Sequence, residues 1–348
     1  MDKRKITKKE FAAAVALCLV LLIIVTVCIL WQEDEEIEVH TEESYSWFDT
    51  YSVIRDYSGR SRAEFDTNFN KISARFDYYH KLFDIYNEYE DVVSLCEVNR
   101  LAKDGPVTVS PELIEFIEYA KDIYALTGGE VNIAMGAVLS IWHKYREEGV
   151  SVPSEALLSE AAEHCDITKI KIDKENHTVE FLDDKMSLDV GAIAKGYATE
   201  CVADMLVADG ISGYVLDIGG NIRAVGTKAN GDSWRAGVKN PDMSGEPYIY
   251  YFDIADSSAV TSGNYERYYT VSGVNYHHII DKDTLMPADH FSSVTVLTED
   301  SALADSLSTA LFNMTMEEGE ALISTLDDVF VIWVTSDGSI ITSENQKI

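Results

Sequence analysis

The sequence predicts a single large α/β domain of the α+β kind, with antiparallel-rich mixed sheets, behind one N-terminal transmembrane helix. Three observations predict it: an uncharged run at 11–31, a helix-rich first half, and a second half of short β-rich runs and turns. The chain has 348 residues, 46% of them hydrophobic, with 19 Tyr and 12 Phe, so a packed core is expected rather than disorder. A formal charge of −32 has the wrong sign for binding a phosphate backbone, which argues against nucleic acid as a partner.

The N-terminus has three parts. MDKRKITKKE (1–10) is basic, FAAAVALCLVLLIIVTVCILW (11–31) carries no charge, and the segment after it is acidic. At about 1.5 Å per residue, a helix over 11–31 spans a hydrocarbon core of about 30 Å. Lys3, Arg4, Lys5, Lys8 and Lys9 set residues 1–10 in the cytoplasm by the positive-inside rule. A cleaved signal peptide fits less well, because the run is long and no small-x-small site follows. Cys28 is preceded by Val27, where a lipid-attachment site wants a small residue. The expectation is therefore an uncleaved single-pass anchor in the cytoplasmic membrane, a charged linker over 32–45, and an extracytoplasmic body over 46–348. Cys96, Cys165 and Cys201 lie apart in the body, with no C-x-x-C and no zinc spacing.

Within the body, residues 62–99 read as mostly helical. SPELIEFIEYAKDIYALTGG (110–129) reads as a helix opened by Ser-Pro and closed by Gly. Strands are expected at HTVEFLDD, KMSLDVG, GYVLDIGG, NIRAVGTK, YIYYFDIA and SSVTVLT, with DIGGN and NGDSW as tight connections between antiparallel partners.

Four segments could carry chemistry. In MSLDVGAIAKGYATE (186–200) a strand ends at Asp189-Val190-Gly191 and a helix starts about Ala192. Free N–H groups and Lys195 there would attract an anion, though a capping aspartate and a surface lysine look the same. In YVLDIGGNIRAVG (214–226), Gly219-Gly220 suits a tight turn or a close approach to a ligand. His277 and His278 are the best acid–base candidates, and neighbours on a strand face opposite ways, so at most one serves a given site. In SALADSLSTALFN (301–313), Leu303, Leu307, Ala310 and Leu311 form a buried stripe that continues to Met314. Asp305 and Thr309 stand on the other face, four residues apart, either as solvated surface or as oxygen ligands for a hard cation such as Mg²⁺. Together these are the parts needed to bind a pyrophosphate and transfer across it.

The succession LDVGAIAKGYA, LDIGGNIRAVG, WRAGVKNP, AVTSGNYERYY, HHIIDKDT and SVTVLTEDSALADSLSTALFNM resembles the FAD:protein FMN transferase (ApbE) family, from about residue 48 to near the C-terminus. The resemblance implies a T-fold-like architecture. It also implies a Mg²⁺-dependent transfer of FMN from FAD to a Ser or Thr hydroxyl, with release of AMP. By the same resemblance Asp305, Thr309 and the Ala192 carbonyl hold Mg²⁺, Asp189, Lys195 and Ile279 contact FAD, and His278 is the base. Phe48 falls at the family's early Met-Gly-Thr position, here Phe48-Asp49-Thr50, and Tyr86 matches a flavin-contacting tyrosine. Glu130, Val131 and Asn132 lie where the family reads Gly-Ala-Phe-Asp-Pro-Thr in its FAD-binding stretch, and the D-P-x-T-G-x-P loop reads Asp281 to Pro287. Glu130 beside a pyrophosphate is repulsive unless it points away or meets a cation. The chain lacks a Ser/Thr-Gly-Ala-Ser/Thr stretch of its own, so the acceptor bearing one is another exported protein. The alternatives are a Mg²⁺-dependent FAD pyrophosphatase and a surface flavin-binding protein without turnover.

Overall fold

The computed structural model describes residues 37–242 and 245–343; the basic N-terminus and the run at 11–31 expected to form an anchor lie outside them. Among the described residues no helix is long and apolar enough to cross a membrane. The body opens with strands β1 (His40–Ser44) and β2 (Ser52–Asp56). Helices α1 (Arg62–Phe83) and α2 (Leu95–Leu101), the short strand β3 (Val107–Thr108) and helix α3 (Pro111–Leu126) follow. Next come α4 (Gly136–Glu148), α5 (Glu155–Ala162), β4 (Ile170–Asp173), β5 (Thr178–Phe181) and α6 (Ala194–Ala208). Then come β6 (Tyr214–Ile218), β7 (Asn221–Val225), β8 (Trp234–Lys239), β9 (Tyr248–Ile254) and β10 (Ser258–Gly263). The hairpin β11 (Tyr268–Val271) and β12 (Val274–His277) leads to β13 (Ser293–Thr298). Helices α7 (Ser301–Asn313) and α8 (Met316–Ile323) and strands β14 (Phe330–Val334) and β15 (Ile340–Thr342) complete the body.

Eight strands form one sheet in the order β1-β2-β6-β7-β10-β13-β14-β15, and each neighbouring pair is antiparallel. Strand alternation sends side chains to opposite faces, and both faces are covered. Leu216, Val294, Val296, Val331 and Trp333 pack into the main core beneath the helices. Val215, Leu297, Phe330 and Ile332 point the other way, onto Trp234, Val238 and Ile254 of the β8–β9 ribbon. Burial on both faces explains why β13 and β14 read as continuous apolar runs.

Local chemistry accounts for the helix ends. Ser61 and Glu64 form a capping box at α1, and Ser110 caps α3 with Pro111 in its first turn. The helical stretch at 62–99 is two helices. Asp84 stops the first, because its carboxylate accepts from the Tyr86 and Asn87 N–H groups and the Tyr89 hydroxyl.

Three expectations are corrected. Residues 40–44 are strand β1 rather than linker; their polar sequence suits a sheet edge, where charge blocks further pairing. KMSLDVG forms no ladder strand: Leu188 bonds through its N–H and carbonyl to the Asn99 side chain, and the Asp189 N–H goes to the Ile133 carbonyl. NGDSW joins no paired strands, since β7 and β8 lie in different sheets.

Candidate active site

The twelve residues to which the resemblance gives a place in the site all line one cleft of about 430 Å³, whereas His277 and Gly220 do not. At one end, α6 crosses α7 at close range. A Cβ on Gly196 would lie 2.4 Å from Asp305 Cβ and 2.4 Å from the Ser301 carbonyl oxygen, so only glycine permits the approach. The Gly196 N–H donates to Asp305 Oδ2 at 2.8 Å, rather than to the Ala192 carbonyl four residues back. Lys195 Nζ lies 3.8 Å from Asp305 Oδ1. Burial pushes the Asp305 carboxyl up from its ordinary range, against the pull of Lys195 and the Gly196 N–H. The polar face of α7 is thus not solvated. Asp305 is buried, and Thr309 Oγ1 sits 3.4 Å from Ser262 Oγ on β10, which bonds Ser308 Oγ at 2.8 Å.

The helix starts at Ala194, later than Ala192, which leaves the Ala192 carbonyl before the first turn and on the cleft wall. A buried carboxylate, a hydroxyl and a backbone carbonyl make an all-oxygen set, which suits a hard cation that keeps water and substrate oxygens in its shell. Among the described residues no group of three or more His, Cys, Asp or Glu could hold a metal ion. Asn221 also lines this end; its Oδ1 accepts from Ser301 at 2.6 Å, and its side chain bears on the Asp305 carboxyl and helps pull it down.

The two histidines divide as strand geometry requires. His277 turns inward: its Nε2 meets the Ala288 carbonyl at 2.7 Å and its ring stands edge-on to Phe312. His278 faces the cleft with Nδ1 3.3 Å from the Arg267 carbonyl. A carbonyl only accepts, so Nδ1 carries the proton and Nε2 keeps its lone pair. The ring is half-buried, yet the protein around it, and then Arg267 and Lys195, lower its pKa from 6.5 to about 3. It is neutral at neutral pH and able to accept a proton.

The remaining wall carries Phe48, Tyr86, Glu130, Val131, Asn132 and Ile279. Phe48 and Asp49 both adopt left-handed backbone, φ 53° and 52°, and the Phe48 N–H donates to His80 Nδ1 at 3.1 Å. Glu130 meets a cation: Lys282 Nζ lies 3.2 Å from its Oε1. The departures at Glu130 and Lys282 therefore offset one another. Burial raises the Glu130 carboxyl, with Lys282 pulling it down. Both ends of the Asn132 amide are bonded within the protein, to the Ala134 N–H and the Cys165 carbonyl.

Sequence reasoning missed several site residues. Gly196, beside Asp305, and Ser262, on the cleft wall, stand inside quoted motifs, and their neighbours carried the signal. His143 and Arg146 lie on α4 with Leu139, at a spacing that shares one helix face, and no local pattern separates that face from an ordinary one. Asp189 Oδ1 accepts from the Gly191 N–H at 3.0 Å, and its Oδ2 faces His143 Nε2 at 3.6 Å.

Comparison with known proteins gives one answer. Residues 48–333 match the ApbE family. The chain is 31% identical over 302 residues to the FAD:protein FMN transferase of Treponema pallidum, covering 83% of this chain and 82% of that one. The crystal structure of the ApbE protein of Thermotoga maritima superposes with a TM-score of 0.79 at 28% identity, covering 88% of this chain and 97% of that one. The flavin transferase ApbE of Vibrio cholerae gives 0.74 at 25% identity, covering 88% and 97%.

Proposed function

Because the chain belongs to the ApbE family, we propose that it transfers the FMN moiety of FAD to a serine or threonine hydroxyl of an exported acceptor protein, with release of AMP. One observation carries this reading: the α6 start with Lys195, the Asp305–Thr309 face of α7, and the His278 imidazole all border the same cleft. The oxygen donors of Asp305, Thr309 and Ala192 suit Mg²⁺, which when bound neutralises charge on a diphosphate.

The protein's own groups do the rest. Lys195, whose side chain borders the cleft, holds the anionic diphosphate, while the Gly196 N–H is spent on Asp305. His278 Nε2 takes the proton of the acceptor hydroxyl, whose oxygen bonds to the FMN-side phosphorus as the bond to the AMP oxygen breaks. A histidine held near 3 is a weak base in the free protein. An anionic substrate beside Arg267 and Lys195 offsets the cations that depress it and so raises its basicity when substrate is present. The uncharged run at 11–31, preceded by lysines, supports a single-pass anchor with the body outside the cytoplasm.

The test is incubation of the full-length chain with FAD and Mg²⁺, with and without a Ser/Thr-Gly-Ala-Ser/Thr acceptor peptide. AMP release that depends on the peptide, with a covalent FMN mass gain, is the expected outcome. AMP without peptide identifies hydrolysis instead, and no AMP in either arm overturns both.

A further inference from the structure

We propose that His143 is a positioning residue for the flavin nucleotide, tying the Tyr86 ring across the cleft to Asp189. The proposal rests on reading the cleft as an FAD site. Tyr86 sits on the loop between α1 and α2 and is 61% exposed, so its ring needs a restraint to keep one orientation. That restraint comes from α4: the Tyr86 hydroxyl is 3.0 Å from His143 Nδ1, and the ring centroids are 6.2 Å apart. On its other side, His143 Nε2 faces Asp189 Oδ2 at 3.6 Å.

The chemistry fixes the polarity of this chain. The negative carboxylate 3.6 Å away favours the tautomer with its proton on Nε2, which leaves Nδ1 bare to accept from the Tyr86 hydroxyl. Asp189 Oδ1 is already taken by the Gly191 N–H. His143 thus faces the second carboxylate oxygen through an electrostatic contact rather than a hydrogen bond, and so favours one orientation of the residue that leads into the Lys195 turn. One ring links the tyrosine of the α1–α2 loop to the approach to α6. Leu139 and Arg146 share its helix face on the cleft, while Val138 and Trp142 on the adjoining face anchor the helix in a cluster that Leu139 also joins.

The experiment measures FAD affinity of the full-length chain by flavin fluorescence, with EDTA present to stop turnover. His143→Ala is expected to weaken FAD binding about three- to tenfold, the share of one hydrogen bond and a weak charge contact. His143→Gln is expected to restore most of it, because an amide can accept from Tyr86 and donate to Asp189. Tyr86→Phe, which leaves the packing intact, is expected to weaken binding by itself and to add less than its full effect on top of His143→Ala. Additive effects, or variants that bind as wild type does, overturn the role given to His143. A wild-type chain that fails to bind FAD overturns the reading of the cleft, and the inference with it.

Discussion

Gly196 and Asp305 are built for one another: the glycine N–H reaches the carboxylate at 2.8 Å, and a methyl at Gly196 would stand 2.4 Å from Asp305 Cβ. Two opposed effects meet at Gly196→Ala. Alanine in a helix ordinarily gains up to about 1 kcal/mol over glycine. Here it collides with a backbone carbonyl and the Asp305 stem, and overpacking of this kind costs about 1–3 kcal/mol. The clash should win. Thermal unfolding is expected to show a net loss of stability, together with loss of turnover.

Asp305→Asn keeps the shape of the carboxylate and removes its charge. It is expected to lower Mg²⁺-dependent turnover by at least about a hundredfold, the scale of losing transition-state charge stabilisation. Burial already disfavours the charged form, so the fold itself is expected to tolerate the change. Unaltered turnover across a Mg²⁺ titration would remove Asp305 from the cation site.

His278→Asn is expected to slow transfer by about a hundredfold or more while sparing FAD affinity. Stability follows a separate sign. With the folded pKa lowered to about 3 from 6.5, the unfolded chain binds the extra proton between those values. The contribution of His278 to stability is therefore full above about pH 6.5 and lost as pH falls toward 3. Melting temperature against pH is expected to fall less steeply through that window in His278→Asn than in wild type.

The Glu130–Lys282 pair predicts coupling. Lys282→Met leaves a buried carboxylate without its cation and is expected to cost about 1–2 kcal/mol, discounted because Lys282 keeps 28% of its surface. In a Glu130→Gln background the same change is expected to cost under about 0.5 kcal/mol. Equal costs in the two backgrounds, measured by denaturant unfolding, would show the pair to be incidental.

Much of this site is legible from short spacings. The four-residue interval of Asp305 and Thr309, the glycines at 219 and 220, and the paired histidines each state a local geometry that the fold keeps. Both glycines adopt left-handed backbone, φ 60° and 84°, in the hairpin between β6 and β7. Burial is less legible. An amphipathic pattern assumes a wet face, and α7 has none to speak of, because α6, β10 and β13 pack around it. Contacts between distant segments are least legible of all. Tyr86 and His143 lie 57 residues apart, and Lys282 meets Glu130 from another loop, so neither pair leaves a periodic trace. The strand expected at 186–190 fails for a related reason: an asparagine side chain, Asn99, replaces the neighbouring strand as its hydrogen-bond partner.

The β8–β9 ribbon covers the face of the large sheet opposite the helices, and no residue of either strand borders the cleft. Tyr248 and Tyr251 on its outer side are about half exposed, at 47% and 50%. That side offers a handle: immobilising the protein there, or raising a binder against it, would leave the reaction chamber open to both nucleotide and acceptor.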